Sequence, residues 1–203
     1  MNPLEAKKRL REELRGRVGA MSAVERAAAS ARIREHLTES DAWERASVVL
    51  MYAADASEPD LDGLIGLGTE AGKTVCVPGL DWAAKTMAPA AVRGVEDLVD
   101  DRHGIRVPAP TCPAVAPESV GLVVVPGVGF DRAGGRVGRG GGFYDRFLAG
   151  LEAGGPIGTV VLGACFAAQV VGRVPSGPHD RRVDGLVTET GLTVVVRDTE
   201  GPG

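Results

Sequence analysis

Residues 122–148 read LVVVPGVGFDRAGGRVGRGGGFYDRFL, and the order of their characters decides the fold. Leu122-Val-Val-Val125 is an unbroken apolar, β-branched run, the pattern of a strand buried on both faces in a parallel sheet. Pro126-Gly127 stops it. A glycine-dense segment follows, and the amphipathic FYDRFL then reads as the start of a helix. A strand, a glycine-rich turn and a helix in that order put the turn at the carboxyl edge of an open α/β sheet, where such folds bind ligands.

The same strand character recurs at residues 47–52 (SVVLMY), 74–77 (TVCV) and 159–162 (TVVL), with helices expected near 60–69 and 144–151. Residues 186–188 and 192–196 can close the chain as a hairpin. At the front, Leu10, Leu14 and Val18 repeat every four residues, and Ser22-Ala-Val-Glu25 has the capping-box pattern of a second helix running toward Leu37. The expected fold is α/β. It is a single layered domain over residues 1–203, with a mostly parallel central sheet flanked by helices, an N-terminal helix pair and a Gly-rich phosphate loop at the carboxyl edge of the sheet. VCVPGL from Val75 and VVVPGV from Val123 both read as strands ended by Pro-Gly, which sets a second loop at that edge.

Composition narrows the function. With 23 Lys/Arg against 27 Asp/Glu, the net charge of −4 argues against general nucleic-acid binding. The first 34 residues nevertheless hold nine Lys/Arg and four Glu, a local surplus suited to an anion. No run is apolar and long enough for a leader or a membrane span. Cys76, Cys112 and Cys165 form no C-x-x-C pair, so a reducing, cytoplasmic setting is expected, with Cys76 and Cys165 as core residues.

The glycine segment carries the chemistry. Gly134, Gly135, Gly138, Gly140, Gly141 and Gly142 let several backbone N–H groups approach one anion closely. Arg136 and Arg139 add forked donors, and the N-terminus of the following helix adds its dipole. AGKT at 71–74 lacks the first glycine of a P-loop and leads from helix to strand, so Gly72 reads as a helix end. Asp145 suits either Mg²⁺ or the dipole of its own helix. Asp180, in PSGPHDRRVDG, is a second carboxylate on a loop at the same edge, or simply a turn residue. Lys7, Arg11 and Arg15 form a stripe on the first helix that is either solvated or turned toward phosphates, and Glu58 can accept hydrogen bonds from ligand amino groups or merely precede a helix.

Residues 126–145 satisfy the pattern P-G-x-x-F-D-x-x-G-x-R-hydrophobic-G-x-G-x-G-aromatic-Y-D, and so the chain resembles the 5-formyltetrahydrofolate cyclo-ligases. K-x-x-x-R at Lys7 and Arg11, the acid Glu58 and P-x-x-x-H-D from Pro175 to Asp180 extend the likeness over most of the chain. The resemblance implies that Lys7, Arg11, Arg136, Val137, Gly138, Arg139, Gly140, Gly141, Gly142, Phe143 and Tyr144 bind ATP. It implies folate contacts from Glu58 and from Arg139 through Phe143, with Mg²⁺ held by Asp145 and Asp180. Arg139, Tyr144 and Asp145 are the expected catalytic residues, and reduced folate and ATP the partners. The glycine segment is then expected to be loosely ordered until it wraps a triphosphate. Two departures stand out: Gly141 where the family commonly has Lys, and Val107 in place of an acid within the G-I-x-x-P element at 104–108. A folate- or nucleotide-binding regulator without turnover, or an isomerase of sugar phosphates on a similar scaffold, are the rival readings.

Overall fold

A computed structural model describes residues 2–154 and 158–195. Helices α1 (Pro3–Gly19) and α2 (Ala23–Thr38) open the chain, the first capped by Asn2 and the second by the reciprocal Ser22–Glu25 box. Leu14 and Val18 of α1 and Ile33 and Leu37 of α2 are buried, so the four-residue spacing does mark the inner faces. A short α3 (Asp41–Arg45), capped by Ser40, seats Trp43 in the core and leads into β1 (Val48–Leu50). Next come α4 (Gly63–Glu70), β2 (Thr74–Asp81), β3 (Thr86–Ala91), β4 (Leu98–Asp100) and β5 (Arg106–Pro108). The second half contains β6 (Leu122–Val125), β7 (Gly129–Asp131), β8 (Arg136–Val137), α5 (Phe143–Gly154), β9 (Val160–Ala164), β10 (Val170–Val171), β11 (Gly185–Thr188) and β12 (Gly191–Val194). Residue 196, expected to end the last strand, lies outside the described residues.

Seven strands form one sheet in the order β12-β11-β9-β6-β1-β2-β3. The inner five are mutually parallel, and β12 and β3 run antiparallel at the two edges. All four residues of β6 are buried because the sheet has a core on each face: Leu122 and Val124 join one, Val123 and Val125 the other. That two-sided burial is why LVVV carries no polar residue. Among the described residues no helix is long and apolar enough to cross a membrane.

Two expectations need correction. Pro78-Gly79 does not end a strand: β2 runs on to Asp81, with Pro78 facing Pro89 and Gly79 facing Ala88 on β3. β1 stops at its Leu50–Cys76 pairing, so no neighbour on that side needs the N–H that Pro78 lacks. The glycine segment is also far more ordered than its composition suggests. β7 and β8 form a hairpin inside it, and β10 pairs with β7 to make a three-stranded sheet. Asp131 organises the turn by accepting from the N–H groups of Ala133, Gly135 and Val174. Gly134 takes φ +82° there, and a Cβ on Gly129 would stand 2.2 Å from Leu14. These glycines serve packing and turn geometry, leaving residues 138–142 as the open loop.

Candidate functional site

Four stretches meet beyond the carboxyl ends of β1 and β6: helix α1, residues 53–62, the loop 138–142 with the start of α5, and residues 175–181. Arg11 Nε donates to the Gly138 carbonyl at 2.7 Å, and Lys7 Nζ pairs with Asp180 Oδ2 at 2.5 Å. The basic stripe therefore faces inward at Lys7 and Arg11, while Arg15 remains exposed. Burial pushes the Asp180 carboxyl up, but Lys7 and the Gly177 N–H outweigh it and hold the group below its usual range.

Arg136 is nearly sealed, with 5% of its side chain exposed, and donates through Nη2 to Asp145 Oδ1 at 2.8 Å. The N–H of Arg181 reaches the same oxygen at 3.2 Å, which brings the 175–181 loop against the first turn of α5. Asp145 takes both bonds on Oδ1 and Asp180 takes its bonds from Lys7 and Gly177 on Oδ2. Arg136 also lies 5.8 Å from the Tyr144 ring centroid, in cation–π range. Arg136 Nε and the Tyr144 hydroxyl are buried without a hydrogen-bond partner. Two buried donors lacking acceptors suit a ligand that brings oxygen atoms. Burial, reinforced by the negative charge of Glu58, raises the Tyr144 phenol above its ordinary value, so it remains a neutral donor.

Arg139 extends the other way. It forms ion pairs with Asp55 and with Glu58 Oε1, the latter at 3.0 Å, and donates to Ser57 Oγ at 3.2 Å. Glu58 is only 11% exposed; burial raises its carboxyl although Arg139 pulls it down. At the more open Asp55, burial is outweighed by Ser57 and Arg139, and the carboxyl lies below its usual range. Glu58 and Arg139 line a cleft of about 300 Å³ between α1 and the end of β6, together with Arg15, Ser57, Gly127 and Gln169. That is the lower end of the size range of small-molecule sites.

Some expected residues stand differently from a simple phosphate loop. Val137 is 1% exposed and packs with Leu14, Val128 and Val174, so its side chain belongs to the core. Gly140 and Gly142 have φ of +102° and +69°, whereas Gly141 is not in the left-handed region. Phe143 sits edge-on to Trp82, with ring centroids 5.1 Å apart. Sequence reasoning missed Asp55 and Ser57, which only their spacing to Glu58 could have flagged. It also missed Gln169, whose buried amide donates to the carbonyls of Gly127 and Val128 and fixes the chain leaving β6. Arg146 was missed as well; it bridges the Lys85 and Gly141 carbonyls at 2.6 Å each.

The sequence pattern of the 5-formyltetrahydrofolate cyclo-ligase family matches residues 3–189. The chain belongs to this family. Among curated cyclo-ligases, the mouse protein is 24% identical across 91% of this chain and 94% of its own length. The mitochondrial protein of Arabidopsis thaliana is 32% identical over 63% of this chain, and the match spans only 52% of that longer protein. A 5,10-methenyltetrahydrofolate synthetase from Aquifex aeolicus superposes with a TM-score of 0.78 at 28% identity, covering 100% of this chain and 97% of the other. The Mycoplasma pneumoniae synthetase shares the fold, with a TM-score of 0.68 at 17% identity over 93% of this chain and 99% of that one. The cyclo-ligase signature thus lies where the geometry gathers its charged groups.

Proposed function

We infer that this cyclo-ligase family member converts 5-formyltetrahydrofolate to 5,10-methenyltetrahydrofolate with consumption of ATP. The observation that carries the site assignment is the meeting of two differently charged halves on one loop. On one side, Lys7, Arg11, Arg136 and the 138–142 backbone form a cationic half suited to the triphosphate. On the other, buried Glu58 beside Arg139 offers an acceptor to the amino and ring N–H groups of a reduced pterin. The formyl oxygen attacks the γ-phosphorus as the bond to ADP breaks, leaving an iminium phosphate. N10 then adds to that carbon and gives up its proton, the C–O bond breaks so that phosphate leaves, and the methenyl bridge results. This chemistry needs alignment and charge neutralisation rather than a protein nucleophile. On this reading Arg136, Arg139 and the Tyr144 hydroxyl donate to phosphoryl or formyl oxygens, and the glycine N–H groups to the phosphate chain.

Asp145 and Asp180 fit Mg²⁺ in donor type, since Mg²⁺ is usually held by one or two carboxylates with phosphate oxygens and water completing its sphere. Among the described residues no cluster of three or more His, Cys, Asp or Glu groups could hold a metal without such outside ligands. When bound there, the ion would neutralise phosphate oxygens. Arg136 and Lys7, which now pair with the two carboxylates, would turn toward the same oxygens. The three unpaired cysteines favour a reducing, cytoplasmic setting.

The test is an absorbance assay for the methenyl product from purified protein. Product is expected only when 5-formyltetrahydrofolate, ATP and Mg²⁺ are all present. No product at any enzyme concentration would leave a binding protein in place of an enzyme.

A further inference from the structure

The G-I-x-x-P element at 104–108 lies outside the site described above, yet its third residue reaches the loop that carries Glu58. Gly104 turns the chain with φ +70°, and Asp101 fixes the turn by accepting from the N–H groups of His103 and Ile105. Arg106 then emerges at the start of β5. Its guanidinium grips Asp62 with both arms, Nη1 to Oδ2 at 2.6 Å and Nη2 to Oδ1 at 3.0 Å. Nη2 also donates to the Ala54 carbonyl at 2.8 Å.

Asp62 occupies the N-cap of α4 but makes no side-chain cap bond. An Asp at that position ordinarily accepts from the first turn of its helix. Here the carboxylate is committed to Arg106 instead. The two anchor points, Ala54 and Asp62, are the two ends of the segment that contains Asp55, Ser57 and Glu58. One planar side chain therefore spans the mouth of that loop, and its fork geometry is one that an ammonium cannot reproduce.

We propose that Arg106 is a positioning residue for folate: by clamping Ala54 to Asp62 it holds Glu58 in the orientation that accepts the pterin. The proposal rests on the reading of Glu58 as the folate acceptor. Arg106 touches no substrate on this account. It acts through Glu58; its two anchors, Ala54 and Asp62, lie outside α1 and the glycine loop, which meets the 55–58 segment through Arg139.

Calorimetric titration with 5-formyltetrahydrofolate in the absence of nucleotide reads the folate half separately, and titration with a non-hydrolysable ATP analogue reads the other. Arg106→Met is expected to weaken folate binding at least tenfold while changing analogue binding less than twofold, with Arg106→Lys in between. Amide exchange at residues 55–58 should quicken in Arg106→Met. Unchanged folate affinity in a folded variant, or equal losses for both ligands, overturns the positioning role. Should Arg106→Met fail to fold, the same split read in Arg106→Lys and Asp62→Asn decides for or against the clamp. A wild-type protein that binds no folate counts against the reading of the site, and the exchange rates at 55–58 then decide the clamp by themselves.

Discussion

Asp145 pairs with Arg136 and, under the proposed function, also holds Mg²⁺, two roles that pull in different directions. Its position at a loop edge suggests that substitution would spare the fold. Its partner Arg136, however, is almost fully enclosed, so removing the Asp145 charge strands a buried guanidinium. Asn keeps one acceptor oxygen, and Asp145 itself is partly exposed, which moderates the loss. Asp145→Asn is expected to lower stability by about 1–3 kcal/mol and to slow turnover strongly. Since 1 kcal/mol shifts a domain of this size by roughly 2–4 °C, a thermal melt beside steady-state kinetics resolves both effects. A variant that melts like the parent and turns over normally would remove Asp145 from both roles. The residue types of the site were legible in the sequence, but this coupling was not: nothing in the spacing of Arg136 and Asp145 says that the arginine is sealed inside.

At the scale of elements, the 138–142 loop separates glycines that backbone geometry requires from one that it does not. Gly142, at φ +69°, would put a Cβ 3.0 Å from the Arg146 guanidinium, and an L side chain resists that conformation whatever the space. Gly141 lacks this conformation, and its Cβ would meet the Phe143 ring at 2.9 Å. Any side chain there, including the lysine common in the family, must move Phe143, which also packs against Trp82. Gly142→Ala is therefore expected to cost about 1–2 kcal/mol through backbone strain, with ATP KM rising as the loop deforms. Gly141→Ala should melt closer to the parent and, on the proposed reading in which Phe143 meets both ligands, raise the KM for folate and for ATP together. Melts and kinetics in both substrates check this. If Gly142→Ala proved the milder substitution in both, the left-handed turn would not be what holds the loop. The sequence showed the glycines but not their division of labour, because turn conformation depends on the β7–β8 hairpin and on Asp131, neither of which leaves a periodic signal.

For the molecule as a whole, the legible part was the centre of the sheet. LVVV, VLMY and VCV are buried throughout and TVVL in part, so their apolar, β-branched composition implies parallel neighbours. The antiparallel edge β3 was not legible because its TMAPAA has one β-branched residue and a proline, and the short strands β4, β5, β7, β8 and β10 were not because two or three residues held by tertiary contacts have no period of their own. Their arrangement makes α1 a strap across the carboxyl edge. Leu14 and Val18 pack inward, and the polar ties of its first half are Lys7 to Asp180 and Arg11 to the Gly138 carbonyl. An ATP-bound site should tighten this strap, because a ligand that binds only the folded state stabilises it by about 2.7 kcal/mol at one hundred times its Kd. Wild-type protein is therefore expected to melt roughly 5–10 °C higher with saturating ATP analogue, with slower amide exchange in α1. Lys7→Ala combined with Arg11→Ala should lose most of that shift and keep the shift produced by folate, since Glu58 and its loop are reached by neither side chain. If the double variant kept the full ATP shift, α1 would be held by its apolar face alone and its cations would belong to solvent. If the two ligand shifts fell together, the strap would support the fold of the whole cleft rather than the nucleotide half.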